Sequence, residues 1–205
     1  MNVRGSLYII SAPSGTGKTS LVKGLLDSLS GIKVSISHTT RSIRPGEFKD
    51  IHYHFVTEDE FKKMIVANDF IEHALVYGNY YGTSRSWVEE QLQNGIDVIL
   101  EIDWQGAYQV KKQFSEVIRV FILPPTLAAL EERLRTRGQD EEQVILHRLS
   151  EAKQEVKYCL EYDYLVINDK FETALSDLRS IIRAEHCRRD KQLKCQQVLL
   201  NELIN

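Results

Sequence analysis

The ten residues Ser11-Ala12-Pro13-Ser14-Gly15-Thr16-Gly17-Lys18-Thr19-Ser20 follow a short apolar run, Leu7–Ser11. They lead into a stretch where Leu21, Val22, Leu25, Leu26 and Leu29 share one face at helical spacing. A strand that turns through two glycines straight into a helix leaves few folds open. Gly15 and Gly17 let the backbone curl until successive N–H groups point inward, which makes an anion cradle at a helix N-terminus. In such a P-loop Lys18 reaches the β- and γ-phosphates and the Thr19 hydroxyl ligates Mg²⁺. The strict pattern begins with glycine, whereas Ala12 stands here; alanine suits that position if it does not need a positive φ. By itself the loop says only that a nucleoside triphosphate binds along residues 12–19.

The rest of the chain alternates strand and helix patterns. Val34–Ser37 reads as a second strand, followed by a polar, loop-like passage to Asp50. Thr57 and Glu60 form a capping box for a helix ending near Ala67. Aromatic, strand-prone residues from Phe70 to Thr83 are broken by the turn signal Gly78-Asn79. A helix from Ser86 stops at Asn94-Gly95, Val98–Ile102 is a strand, Trp104–Gln113 a helix, and Val117–Leu123 another strand. Thr126 caps a helix to about Arg135, Glu142–Glu161 reads as one long helix, and Tyr164–Asn168 as a last core strand. The expectation is an α/β fold, a P-loop NTPase-type parallel sheet with helices on both faces. Residues 34–83 and 136–149 break the rhythm and read as insertions.

The 205 residues with 42% hydrophobic and 27% charged content suit one ordinary domain that needs no disulfides. A net charge of −3 gives no electrostatic case for a nucleic acid or an anionic membrane. The longest apolar runs, Leu7–Ile10 and Val120–Leu123, are far short of a membrane span, and Pro13, Ser14 and Gly15 interrupt any leader-like run, so a cytoplasmic location is expected. Cys159, Cys187 and Cys195 have neither disulfide-framework nor zinc spacing and read as buried or half-buried helical thiols. His52 and His54 would share a strand face, but no third metal ligand is near. The basic run Cys187–Lys194 reads as a solvated helix face.

A second chemical signal lies at 35–47, Ser-x-Ser-x-Thr-Thr-Arg-x-x-Arg-x-Gly-Glu, where Arg41 and Arg44 stand in a hydroxyl-rich loop suited to phosphate oxygens. It resembles the monophosphate-binding signature of guanylate kinases. Phe-Ile-Glu at 70–72, Gly-Asn-Tyr-Tyr-Gly-Thr at 78–83, Ile-Asp-Trp-Gln-Gly at 102–106 and Val-Ile-Asn-Asp at 166–169 follow in that family's order. Arg133, Arg137-Gly138 and Arg148 resemble its lid arginines.

The resemblance implies one domain with its core at 1–33, 84–135 and 150–205, a GMP-binding lobe at 34–83 and a lid at 136–149. It implies that ATP is held by residues 12–19 and Asn168. Ser37, Arg41, Arg44, Tyr53 and Tyr81 would hold the GMP phosphate, and Glu72, Thr83 and Asp103 would face the guanine. A carboxylate at Glu72 can accept from both N1–H and the 2-amino group, a donor pair that adenine lacks. Glu101 and Asp103 end a strand at the edge where open α/β sheets bind ligands. Glu101, where many relatives carry aspartate, would touch Mg²⁺ through water, beside direct ligation by Thr19.

GMP arrives largely as a dianion, because the second pKa of a phosphate monoester is about 6, so no general base is needed. Lys18, Arg41, Arg137 and Arg148 would then be the catalytic groups, neutralising charge while both inserted lobes close to keep water out. The plainer alternative is that Arg133 and Arg137 pair with Glu131, Glu132 or Glu141 on a solvated helix, but the resemblance favours the lid. Two other classes stay open: a catalytically silent binding module of the same fold, which Lys18, Thr19, Arg41 and Arg44 oppose, and a P-loop kinase for another phosphorylated acceptor such as a ribose bisphosphate.

Overall fold

The computed structural model describes residues 3–76, 78–136 and 142–204. In chain order it contains β1 (Leu7–Ser11), α1 (Lys18–Ser28), β2 (Ile32–Val34), β3 (His38–Thr39), β4 (His54–Phe55), α2 (Glu58–Val66), β5 (Phe70–Val76), β6 (Asn79–Ser84) and α3 (Arg85–Gln93). Then come β7 (Asp97–Leu100), α4 (Trp104–Gln113), β8 (Ile118–Leu123), α5 (Leu127–Thr136), α6 (Glu142–Glu155), β9 (Tyr164–Ile167), α7 (Phe171–His186), α8 (Arg189–Cys195) and α9 (Gln197–Ile204). The chain packs as two compact units, one of Met1–Arg4, Ile10–Ser30 and Arg119–Asn205, the other of Gly5–Ile9 and Gly31–Ile118. No helix among the described residues is long and apolar enough to cross a membrane.

In the second unit, β7 lies between β2 and the first residues of β1, parallel to both, with Leu7 opposite Val98 and Ile32 opposite Asp97. All four residues of β7 are buried, which fits a strand flanked on each side in a parallel sheet. A separate four-stranded sheet runs in the order β4-β3-β6-β5. Its β5–β6 hairpin turns at Gly78, whose φ of 74° is the left-handed region that favours glycine. Phe61 of α2 stacks on Phe70 at 4.5 Å and on Tyr80 at 5.3 Å, which seats that helix on the sheet. Its N-terminus carries the expected capping box, Thr57 with Glu60. Helix α4 is bonded to β5: Gln109 accepts from the His73 N–H at 3.1 Å and donates to its carbonyl at 2.7 Å, and Gln113 donates to the Ile71 carbonyl at 2.7 Å.

In the first unit, β8 and β9 are parallel, with Val120 opposite Tyr164 and Leu123 opposite Ile167. Leu130 and Leu134 of α5 pack with Ile145 and Ala152 of α6. Thr126 caps α5 as expected, accepting from the Ala129 N–H at 3.0 Å.

Parallel strands linked through helices give the expected α/β class, with local differences. The second strand lies at Ile32–Val34 rather than Val34–Ser37. After one further bond, from the Ser35 N–H to the Ile99 carbonyl, the chain crosses to the other sheet, where the Ser37 carbonyl accepts from His54. The passage to Asp50, expected to be loop throughout, contributes β3. The long helix expected to Glu161 ends at Glu155 and tightens into 3-10 turns at Val156–Glu161. Strand β9 is not fully buried: Leu165 and Ile167 are exposed while Val166 between them is covered, as in a strand with one face against the core, and α7 packs against it. Cys159 is buried, but Cys187 and Cys195 are exposed at the ends of helices.

Candidate active site

In the first unit the loop after β1 forms a cradle on α1. Gly17 caps the helix with φ 90° and ψ 17°, a left-handed conformation that glycine adopts without strain. The Leu21 N–H closes on the Gly17 carbonyl at 3.1 Å, and by helix geometry the N–H groups of the first turn have no intrahelical acceptor. Together with the helix dipole, such groups suit an anion. Ala12 is not among the described residues with positive φ, so its position accepts alanine without strain. Thr16 is buried and folds back on the Pro13 carbonyl through its hydroxyl at 2.9 Å. Lys18 opens the helix, half-buried, and Thr19 is exposed beside it.

Asn168 braces this loop. Its side-chain amide donates to the Thr16 carbonyl at 2.6 Å, and its own carbonyl accepts from Arg133 Nη2 at 2.9 Å. A Cβ on Gly17 would stand 2.6 Å from the same amide, so the second glycine is needed for space as well as for φ. The other terminal nitrogen of Arg133, Nη1, is buried with no hydrogen-bond partner among the described residues. Arg133 also lines an open pocket of about 540 Å³ with Gly15, Pro125, Ala129, Glu132, Thr136 and Asp169. A buried guanidinium nitrogen without an acceptor among the described residues is a donor left unsatisfied, and a phosphate oxygen is the kind of acceptor that suits it. Glu131 pairs with Arg135 at 2.9 Å, so of the carboxylates expected to face Arg133 this one is taken by Arg135.

In the second unit Arg41 is held from several sides. Nη2 bonds Glu47 Oε1 at 2.7 Å, Nη1 donates to the Ser42 carbonyl at 2.9 Å, and the guanidinium lies 5.3 Å from the Tyr53 ring centroid. The Glu47 hydrogen bond raises the Arg41 pKa, and the same bond lowers that of Glu47. The other Glu47 oxygen accepts from the Arg44 N–H at 2.9 Å, so one carboxylate ties both ends of the arginine loop. Tyr53 and Tyr81 meet edge to face at 5.9 Å, and burial pushes the Tyr53 phenol up. Arg41, Tyr53 and Tyr81 thus come together, Arg44 lies exposed on the same loop, and Ser37 precedes β3.

A second cluster in that unit is buried. Thr83 donates to Glu72 Oε1 at 2.6 Å from the facing strand, and the two residues are only 0% and 4% exposed. Burial raises the Glu72 pKa to about 7, with Asp103 adding to the rise and the Thr83 bond opposing it. Asp103 caps α4, accepting from the Gly106 N–H at 2.9 Å and from Gln105 Nε2 at 3.1 Å. Glu101 follows β7, half-buried. His52 and His54 have separate uses: His52 Nδ1 accepts from the Phe48 N–H, while His54 Nδ1 pairs with Asp50 at 2.7 Å.

Of the arginines expected near the γ-phosphate, Arg148 lies half-buried on α6, and Arg137 falls outside the described residues. The capping role of Asp103, the bracing role of Asn168 and the Glu47 tie were not read from the sequence. For Asp103 the signal was available, since an aspartate directly before a helix is an N-cap candidate.

A sequence profile of guanylate kinases matches residues 4–185. The guanylate kinase of Saccharophagus degradans is 53% identical over 205 residues, covering 100% of both chains. That of Aliivibrio fischeri is 53% identical over 203 residues, covering 98% of each. Among solved structures, the crystal structure of guanylate kinase from Anaplasma phagocytophilum superposes with a TM-score of 0.77 at 31% identity, covering 92% of this chain and 89% of that one.

Proposed function

This chain belongs to the guanylate kinase family, and from that premise we propose that it transfers the γ-phosphoryl group of ATP to GMP, and to dGMP, giving ADP and GDP. The observation that carries the reading is the buried Glu72–Thr83 pair, with one carboxylate oxygen held at 2.6 Å. Burying a carboxylate is costly unless its oxygens are hydrogen-bonded, and guanine would supply donors beyond the one from Thr83. Guanine offers two adjacent donors to a carboxylate, whereas a sugar bisphosphate would give this buried acid no base to read. Ser37, Arg41, Arg44, Tyr53 and Tyr81 are assigned to the GMP phosphate, and Glu72, Thr83 and Asp103 to the base. The separate sheet containing β3 to β6 supports treating 34–83 as the GMP-binding lobe; 136–149 is assigned as the lid on the core formed by the rest.

Residues 12–19 with Asn168 are assigned to ATP, and Arg133 joins them on the strength of its buried Nη1, which has no partner among the described residues. Lys18, Arg41, Arg137 and Arg148 are the proposed catalytic groups. Their task is to align two phosphates and neutralise the charge between them, since the dianionic acceptor needs no base. Mg²⁺ takes one or two protein oxygens and keeps its remaining positions for water and phosphate. A hydroxyl is such an oxygen, so Thr19 is assigned to the ion directly, and the Glu101 carboxylate is assigned to it through water. When bound, the ion would neutralise phosphate charge. The exposed thiols of Cys187 and Cys195 support a reducing, cytoplasmic setting.

ADP formation from Mg·ATP tests the reading, with GMP, AMP, CMP or UMP as acceptor and a control without acceptor. Turnover with GMP alone is expected. ATP binding without turnover of any monophosphate would overturn the acceptor assignment, and absence of binding would favour a silent module. Glu47→Gln is expected to raise the KM for GMP about tenfold, since a charge-assisted bond to Arg41 becomes a neutral one. The KM for ATP should stay within about twofold, because Glu47 touches only the arginine loop. Equal changes in both KM values would rule out that local role.

A further inference from the structure

Gly106 is the third residue of α4 and is buried. Its φ is not positive, so nothing in the backbone conformation calls for glycine. Glycine is also the poorest helix former after proline. What the position requires is space: a Cβ there would stand 2.6 Å from Glu72 Oε2, 3.2 Å from Glu72 Cδ and 3.3 Å from Ile102 Cβ.

The carboxylate has little room to retreat, because Thr83 holds its other oxygen at 2.6 Å. Nor does the backbone yield easily. Gln109 and Gln113 bond α4 to β5 at His73 and Ile71, the residues on either side of Glu72. The acid is therefore set between a threonine hydroxyl and a bare Cα.

We propose that Gly106 is a specificity-determining position: its missing side chain fixes how deeply the Glu72 carboxylate sits against the start of α4, and hence its alignment with the two donors of guanine. The proposal rests on the reading of Glu72 as the residue that recognises the base. Gly106 touches no substrate in this account and acts by positioning Glu72. A methyl group at 106 displaces the carboxylate from its bond with Thr83, and one oxygen can no longer meet each donor.

The test is Gly106→Ala in the full chain, with initial rates for GMP and for IMP, which keeps N1–H but lacks the 2-amino group. The KM for GMP is expected to rise about tenfold or more, with a narrowed preference for GMP over IMP. The KM for ATP should remain within about twofold, while Tm falls by a few degrees as the buried bond to Thr83 is lost. Parental GMP kinetics, or a common rise in both KM values with a loss of Tm, would overturn the proposal.

If Gly106→Ala does not fold, the Gly106→Ala/Glu72→Asp double variant is compared with Glu72→Asp alone. A shorter carboxylate sits back from the new methyl, so the added cost should be less than about twofold. A larger cost, or failure of the double variant to fold, would also overturn the proposal. Glu72→Gln is measured in parallel. If it leaves acceptor preference unchanged, the base-reading assignment itself fails; if it changes preference and Gly106→Ala does not, only the role of Gly106 fails.

Discussion

Lys18→Ala is expected to lower turnover with Mg·ATP and GMP at least ~10²-fold while Tm stays near the parental value. Lys18 is the first residue of α1 and half-buried. Alanine is the better helix former, and the cap at Gly17 is untouched. The N–H groups of the first turn also remain, so a good part of ATP binding should survive. What disappears is a mobile positive charge that can follow the phosphoryl group as charge redistributes, and this loss falls mainly on kcat. Turnover unchanged in a folded variant would remove the phosphate-cradle assignment. A KM for ATP that rises with no loss of kcat would reduce Lys18 to ground-state binding.

The cradle was legible because its determinants are contiguous: a strand, two glycines and the lysine that opens a helix lie within the dozen residues Leu7–Lys18. Local caps were legible for the same reason, and the Thr57–Glu60 box and the Thr126 cap are present as expected. Harder to read were contacts between residues distant in sequence. Nothing around Asn168 indicates that its amide supports Thr16, 152 positions away. The need for Gly106 depends on Glu72 of β5, so the sequence shows only that a glycine ends the run Ile-Asp-Trp-Gln-Gly, and not what its missing side chain makes room for. Strand β2 was misplaced because Val-Ser-Ile-Ser at 34–37 alternates like a strand but is the crossing between two sheets. Strands β3 and β4 have only two residues each and form because their neighbours pair with them, a tertiary effect that local pattern does not carry. Strand β9 was read as core from its apolar run, although only one of its faces is covered.

Glu72→Gln should abolish discrimination between GMP and AMP and raise the KM for GMP about 10²-fold or more. The amide keeps the shape but presents an NH₂ where an acceptor oxygen stood, so a donor faces a donor in a buried site. The pH dependence tests the same point separately. With its pKa raised by burial to about 7, Glu72 is partly protonated at neutral pH, and only its ionised form accepts from both guanine donors. The KM for GMP should therefore fall as pH rises from 6 to 8, and Glu72→Gln should lose that dependence while keeping the part due to the GMP phosphate near pH 6. Stability should move the opposite way. A carboxyl whose folded pKa lies above its unfolded value of 4.5 is protonated longer in the folded state, so its favourable contribution is complete below pH 4.5 and is lost as pH rises through about 7. Relative to the parent, the non-titrating glutamine variant should thus gain Tm between pH 5.5 and 8. A parental pH profile of KM in the variant would take base recognition away from Glu72. A constant Tm difference across that range would mean that its carboxyl titrates in the ordinary range and that burial does not set its charge.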